Sequence, residues 1–135
     1  MPHVEEALVT VLKAHAGLSA LVGTRVFARD DLPQSVVYPA ISLSRISTET
    51  EHVMGSDPKI DRALFQVDVW DSFTAGRLRS LDAAKQIRAA LRDISGTQGG
   101  VLLERIFFEG EMDLGSEPEI NTRHRALEFE VVFHE

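Results

Sequence analysis

The stretch Leu64–Leu81, "LFQVDVWDSFTAGRLRSL", changes its period half-way along. In its first part Phe65, Val67 and Val69 alternate with Gln66 and Asp68, as in a strand with one buried face. Past Trp70-Asp71-Ser72 the spacing becomes helical. At about 100° per residue, Phe73, Ala83, Ala84, Ile87, Ala90, Leu91 and Ile94 gather on one side. A strand that turns sharply into a helix is a common place for a nucleophile or a phosphate-binding turn, so the corner is either chemical or structural. Ser72 is not in a G-x-S-x-G elbow, because Trp70-Asp71 precede it and Phe73-Thr74 follow it. Asp71 or Ser72 fits instead the N-cap of a helix, where a side-chain oxygen satisfies backbone amides that have no partner. Trp70 falls on the face opposite the Phe65, Val67, Val69 trio, which puts it at the sheet's edge or in a subunit contact.

Working outward, "HVEEALVTVLKAHAGL" places Val4, Ala7, Leu8, Val11 and Leu12 on a helical stripe, with Gly17 as a left-handed stop and Leu18 folding back. "LSALVG" reads as one helical turn and "RVFA" as a short strand. "ARDDLPQSVVYP" is a loop by composition, and "AISLSRIS" alternates Ile41 and Leu43 with Ser42 and Ser44. Thr48–Pro58 is polar and aperiodic: an exposed hairpin arm or a mobile loop. Ala63 joins the buried face of the strand that follows. "SGTQGG" reads as a turn. In "VLLERIFFEG", Leu103, Arg105 and Phe107 stand opposite Leu102, Glu104, Ile106 and Phe108. "EMDLGSEPEIN" reads as a second long acidic loop. "RHRALEFEVVF" closes the chain as its clearest strand, with Arg125, Leu127, Phe129, Val131 and Phe133 on one face. The expectation is one α+β domain over 1–135, in two layers. It has a largely antiparallel sheet, an N-terminal and a central helix packed on one face, and long exposed loops.

Composition narrows the chemistry. At 135 residues the chain can bury a core without staples. The absence of cysteine removes disulfides, thiolate nucleophiles and cysteine zinc sites together. Glu5 and Glu6 stand where a secretory signal needs positive charge, and no apolar run approaches a membrane span. The expectation is a soluble chain made in the cytoplasm, with no membrane contact. His3, His15, His52, His124 and His134 fall in different elements, match no ligand spacing, and read as scattered surface histidines. "SGTQGG" lacks the Lys-Ser/Thr ending of a phosphate loop. Asp68, Asp71, Glu128 and Glu130 form a carboxylate cluster only if their strands are adjacent, and alternation alone puts acids on a solvent face. No catalytic, cofactor or metal site is expected.

A net charge of −7 argues against a broad nucleic-acid grip, which needs concentrated Lys and Arg. The charge is unevenly spread. Residues 73–93 hold five basic against two acidic side chains, net +3, and residues 104–119 hold six acidic against one basic, net −5. Arg77, Lys85, Arg88 and Arg92 form a stripe along the central helix, interrupted by Leu81. It is either a solvated flank whose long side chains cover the core's edge or a contact for an acidic neighbouring subunit. With that stripe, Glu49, Glu51, Met54, Glu111, Met112 and Leu114 make up the candidate subunit or tube interface.

The succession of an amphipathic helix running into "LSALVGTRVF", a proline-bearing loop entering "YPAISL", a polar arm, the "FQVDVWDS" corner, the helix "FTAGRLRSLDAAKQIRAAL" and the closing "RALEFEVVF" resembles one family over nearly the whole chain. That family is the tail completion, or tail terminator, proteins of long-tailed bacteriophages and gene transfer agents. The shared motifs are hydrophobic patterns and carry no invariant chemistry. The resemblance implies a virion protein of the tail or neck, with no catalytic residue or cofactor. It implies a ring, usually a hexamer, that caps the tail tube, stops its polymerisation and joins the tail to the head connector. Sheet edges, the basic stripe and the acidic loops would help to join its subunits. The implied partners are further copies of the chain, the tube protein and a head-connector or adaptor protein. DNA would pass through the lumen without specific binding, since an acidic lumen repels phosphates. Two other classes stay open: another neck, adaptor or minor tail component, and a small cytoplasmic α+β ligand-binding module or enzyme, which requires a deep pocket with convergent polar groups.

Overall fold

The computed structural model describes residues 3–28, 31–33, 35, 37–51, 60–92 and 94–134. Along the chain run α1 (Val4–Ala14), α2 (Ala16–Val22), β1 (Val26–Ala28), β2 (Ala40–Glu51), β3 (Ile60–Asp71), α3 (Arg77–Leu91), β4 (Gly96–Gln98), β5 (Val101–Glu117) and β6 (Thr122–His134). The strands make one curled six-stranded sheet in the order β1-β2-β3-β6-β5-β4. Only β1 beside β2 is parallel; every other pair is antiparallel. This is the expected α+β class.

The alternating runs set which face of the sheet is covered. Ile41 and Leu43 of β2, Ala63, Phe65, Val67 and Val69 of β3, and Leu127, Phe129, Val131 and Phe133 of β6 are all buried in one core. Val4, Ala7, Leu8, Val11 and Leu12 of α1 and Ala83, Ala84, Ile87, Ala90 and Leu91 of α3 complete it. The stripe of α1 is thus the one the spacing predicts, and that of α3 keeps five of its seven expected residues, since Phe73 lies in the turn before the helix and Ile94 beyond its end. Small alanines let α3 lie close against β3 and β6.

Several details differ from the sequence reading. The helix over 4–14 ends before Gly17, which lies inside α2. A Cβ on Gly17 would stand 2.2 Å from Gln86 Oε1, so this glycine serves the close approach of α2 to α3. His15 Nε2 lies 3.0 Å from the same Gln86 Oε1. The positive φ belongs to Gly23, after α2. "LSALVG" is therefore most of a seven-residue helix, one more helix than expected.

The segment read as a second acidic loop is strand. β5 runs to Glu117, a short 3-10 turn covers Pro118–Ile120, and Asn121 (φ 53) turns the chain into β6. Glu and Asp are poor strand formers, but strand preference yields to pairing with a strong neighbour, and β6 supplies it over Glu111↔Leu127 to Glu117↔Thr122. Register shifts at Leu103/Arg105, Phe108/Gly110 and Asp113/Ser116 break the simple alternation. After the first shift Ile106 and Phe108 join Leu103 on the covered face, opposite Val131, Phe129 and Phe133. "SGTQGG" holds the edge strand β4 before its Gly99-Gly100 turn. The polar arm begins as strand too, since β2 continues to Glu51, which pairs with Ile60; residues 52–59, Met54 and His52 among them, lie outside the described residues.

Candidate functional site

At the corner that opened the sequence reading, neither Asp71 nor Ser72 caps the helix. A 3-10 turn at Phe73–Ala75 and then Gly76, at φ 82, separate β3 from α3, whose start has no side-chain cap. Asp71 continues the covered face of β3 and is fully buried. A buried carboxylate needs a charged, hydrogen-bonded partner. Arg79 provides it from the first turns of α3, donating from Nε at 2.9 Å and Nη2 at 2.5 Å, while the Ser72 N–H donates at 2.7 Å. The hydrogen bond it donates to Asp71 holds the pKa of the Arg79 guanidinium above its ordinary value, against an opposing effect of burial. The corner is a latch between strand and helix.

Among the described residues no helix packs on the other face of the sheet, yet Ser42, Asp68 and Ala126 are buried there. Trp70 and His124, paired across β3 and β6, stack with ring centroids 3.7 Å apart and planes 12° from parallel. Their polar edges turn inward. Asp68 Oδ1 accepts from Gln66 Nε2 and lies 2.7 Å from His124 Nε2, and Asp68 Oδ2 accepts from Ser42 Oγ at 3.5 Å. Ser42 Oγ in turn accepts the Trp70 indole N–H at 2.9 Å. Serine, histidine and aspartate are all present, but a nucleophilic serine needs the histidine within reach of its oxygen. Here both bind one carboxylate, and Ser42 is covered by the stack. The cluster ties β2, β3 and β6 together. Trp70 is therefore in the middle of the sheet and not at its edge.

Farther along the same open face lies an acidic groove of about 460 Å3, lined by Glu49, Glu109, Glu128 and Glu130 with Leu64 and Arg62 between them. Only Glu130 has a cationic partner among the described residues, Arg62 at 3.3 Å. The carboxylates read together from the sequence thus separate. Asp68, Glu128 and Glu130 share the open face, with Asp68 held in the Trp70 cluster, while Asp71 lies on the covered face.

The basic stripe runs down the outside of α3, with Arg77, Lys85, Arg88 and Arg92 all exposed. None has a carboxylate within 4.0 Å among the described residues. Arg88 lies over the Phe108 ring, 4.2 Å from its centroid, above a small cleft of about 170 Å3 between α3 and β5. Of the other candidate interface residues, Glu49 lies in the groove and the backbone of Glu51 ends β2. Glu111 is tied to Arg125 at 2.8 Å, and Met112 and Leu114 are each 47% exposed on β5. The structure gathers the four cations, and it separates Glu49 from Glu111. The spacing of single strands missed Glu109 and the Trp70–His124 stack, because both depend on cross-strand register. Among the described residues no group of His, Asp and Glu side chains could hold a metal ion.

Residues 6–134 match the family described as Tail completion protein gp17. The chain belongs to this family. Membership in the tail completion family makes it a structural protein of a phage-type tail, a component of the virion. A chain in the virion of a native gene transfer agent particle has the same fold, at 20% identity and a TM-score of 0.74, covering 98% of this chain and 95% of its own. A second solved structure, carrying no functional name, aligns at 12% identity and a TM-score of 0.57, over 98% of this chain and 99% of its own. No curated protein matches the chain. No helix of the described residues in this tail completion family member is long and apolar enough to cross a membrane.

Proposed function

We propose that this protein is a tail terminator. Its copies form a ring, most simply a hexamer, that sits on the last ring of the tail tube, ends polymerisation and presents a surface to the head connector. The observation that carries this reading is membership in the tail completion family over residues 6–134. The whole chain acts as one domain with no catalytic step. The clefts on its surface are open, and its Ser–His–Asp set is consumed in holding strands together. The net charge of −7 suits a neck through which DNA slides without adhering. Basic stripe, acidic groove and the exposed apolar residues of β5 supply contacts to further copies, tube and connector.

Electron microscopy of particles lacking this protein tests the reading. Overlong or headless tails are expected. Tails of normal length joined to heads would overturn it.

A further inference from the structure

Two surfaces on this chain are each incomplete and are complementary to one another. The groove on the open face carries Glu49, Glu109, Glu128 and Glu130 against the single cation Arg62. The outer side of α3 carries Arg77, Lys85, Arg88 and Arg92, all without a carboxylate within 4.0 Å among the described residues. They cannot meet within one molecule. α3 packs on the covered face of β3 and β6, and the groove opens on the opposite face of the same strands.

We propose that α3 of one copy docks its basic stripe in the acidic groove of the next. This rests on the ring reading above and names the surfaces that would make the ring. Dimensions agree. Lys85 to Arg92 spans about 10 Å along the helix axis, at about 1.5 Å per residue. The groove reaches from Glu49 on β2 across β3 and β6 to Glu109 on β5, three strand spacings or about 14 Å. Lys85, Arg88 and Arg92 therefore fall within its width, with Leu64 as an apolar floor for their methylene stems. Glu128 and Glu109, which have no cationic partner among the described residues, meet guanidinium groups that have no carboxylate partner there.

The placement on opposite faces also fixes the kind of contact. Each copy gives its helix to one neighbour and its groove to the other, a head-to-tail interface. This is the kind that makes a ring when its rotation closes, and it is unlike the self-complementary patch of a two-fold dimer.

Charge reversal tests this in the full chain. Arg88→Glu/Arg92→Glu and Glu109→Arg/Glu128→Arg variants are compared with the native protein by size exclusion and light scattering, alone and with the tube protein. Near-UV circular dichroism of Trp70 checks that each is folded. Each variant should lower the assembled fraction by about tenfold or more, since like charges then face one another. An equal mixture of the two should assemble again, as should a chain carrying all four changes. Variants that assemble as the native protein does would overturn the docking and leave the ring reading standing. Loss that neither the mixture nor the fourfold variant restores would also overturn it, because the two patches then meet something other than each other. A native chain that stays monomeric even on the tube removes the ring reading and this inference with it.

Discussion

The two faces of β3 bury their residues by different means. On the covered face, Phe65, Val67 and Val69 are enclosed by helices, and burial is apolar and continuous. On the other face no helix packs among the described residues, and Asp68 and Ser42 are buried beneath a Trp70–His124 stack that also supplies hydrogen bonds to them. The first face derives its stability from removing apolar surface from water, at about 25 cal/mol per Å2. The second gains little net from each hydrogen bond but loses heavily if one partner is removed. It is specific where the first is strong.

Substitutions can break this contrast in graded steps. Phe65→Ala should cost about 4 kcal/mol in denaturant unfolding, for lost transfer energy and the cavity left behind. Arg79→Ala leaves the Asp71 carboxylate buried without its charged partner. A loss of about 2 kcal/mol is expected, reduced from that of a fully buried pair because the Arg79 side chain is 38% exposed. Trp70→Phe keeps a ring over the cluster and removes the N–H that Ser42 accepts, so about 1 kcal/mol is expected. Arg88→Glu, on the outside of α3, should change unfolding by no more than about 0.5 kcal/mol. A large loss there would mean that the Arg88–Phe108 contact stabilises the monomer, and would weaken the case for a free docking stripe. Assembly of the native chain should also fall as ionic strength rises, since exposed ion pairs are screened.

Much of the fold was legible because its central strands alternate without interruption. Leu127, Phe129, Val131 and Phe133 name the covered face of β6 from spacing alone, and Phe65, Val67 and Val69 do the same for β3. The first part of β5, "VLLERIFFEG", was legible as strand but its facing was not, because each register shift moves side chains to the other face and nothing local marks the first of them. Its acidic end, Glu111 to Glu117, is strand only because β6 pairs with it. The Asp71 latch was misread for a related reason: a carboxylate just before a helix fits a cap locally, and only burial reveals that Arg79 claims it. The basic stripe was visible as a helical period. The acidic groove was not, since it takes residues from β2, β5 and β6 that meet only in the finished sheet.

The latch at Asp71 has a mechanical consequence. Arg79 belongs to the same helix that carries the exposed cations, and it grips the last residue of β3, in the middle of the sheet. A pull on α3 is therefore passed directly into β3 and shared with β2 and β6 along both of its ladders, and the turn at Phe73–Gly76 is spared the tension. Strands loaded along their length resist together, where an end peeled from a loop gives way bond by bond. A terminator of the kind proposed above, held between a tube and a head, would benefit from that load path.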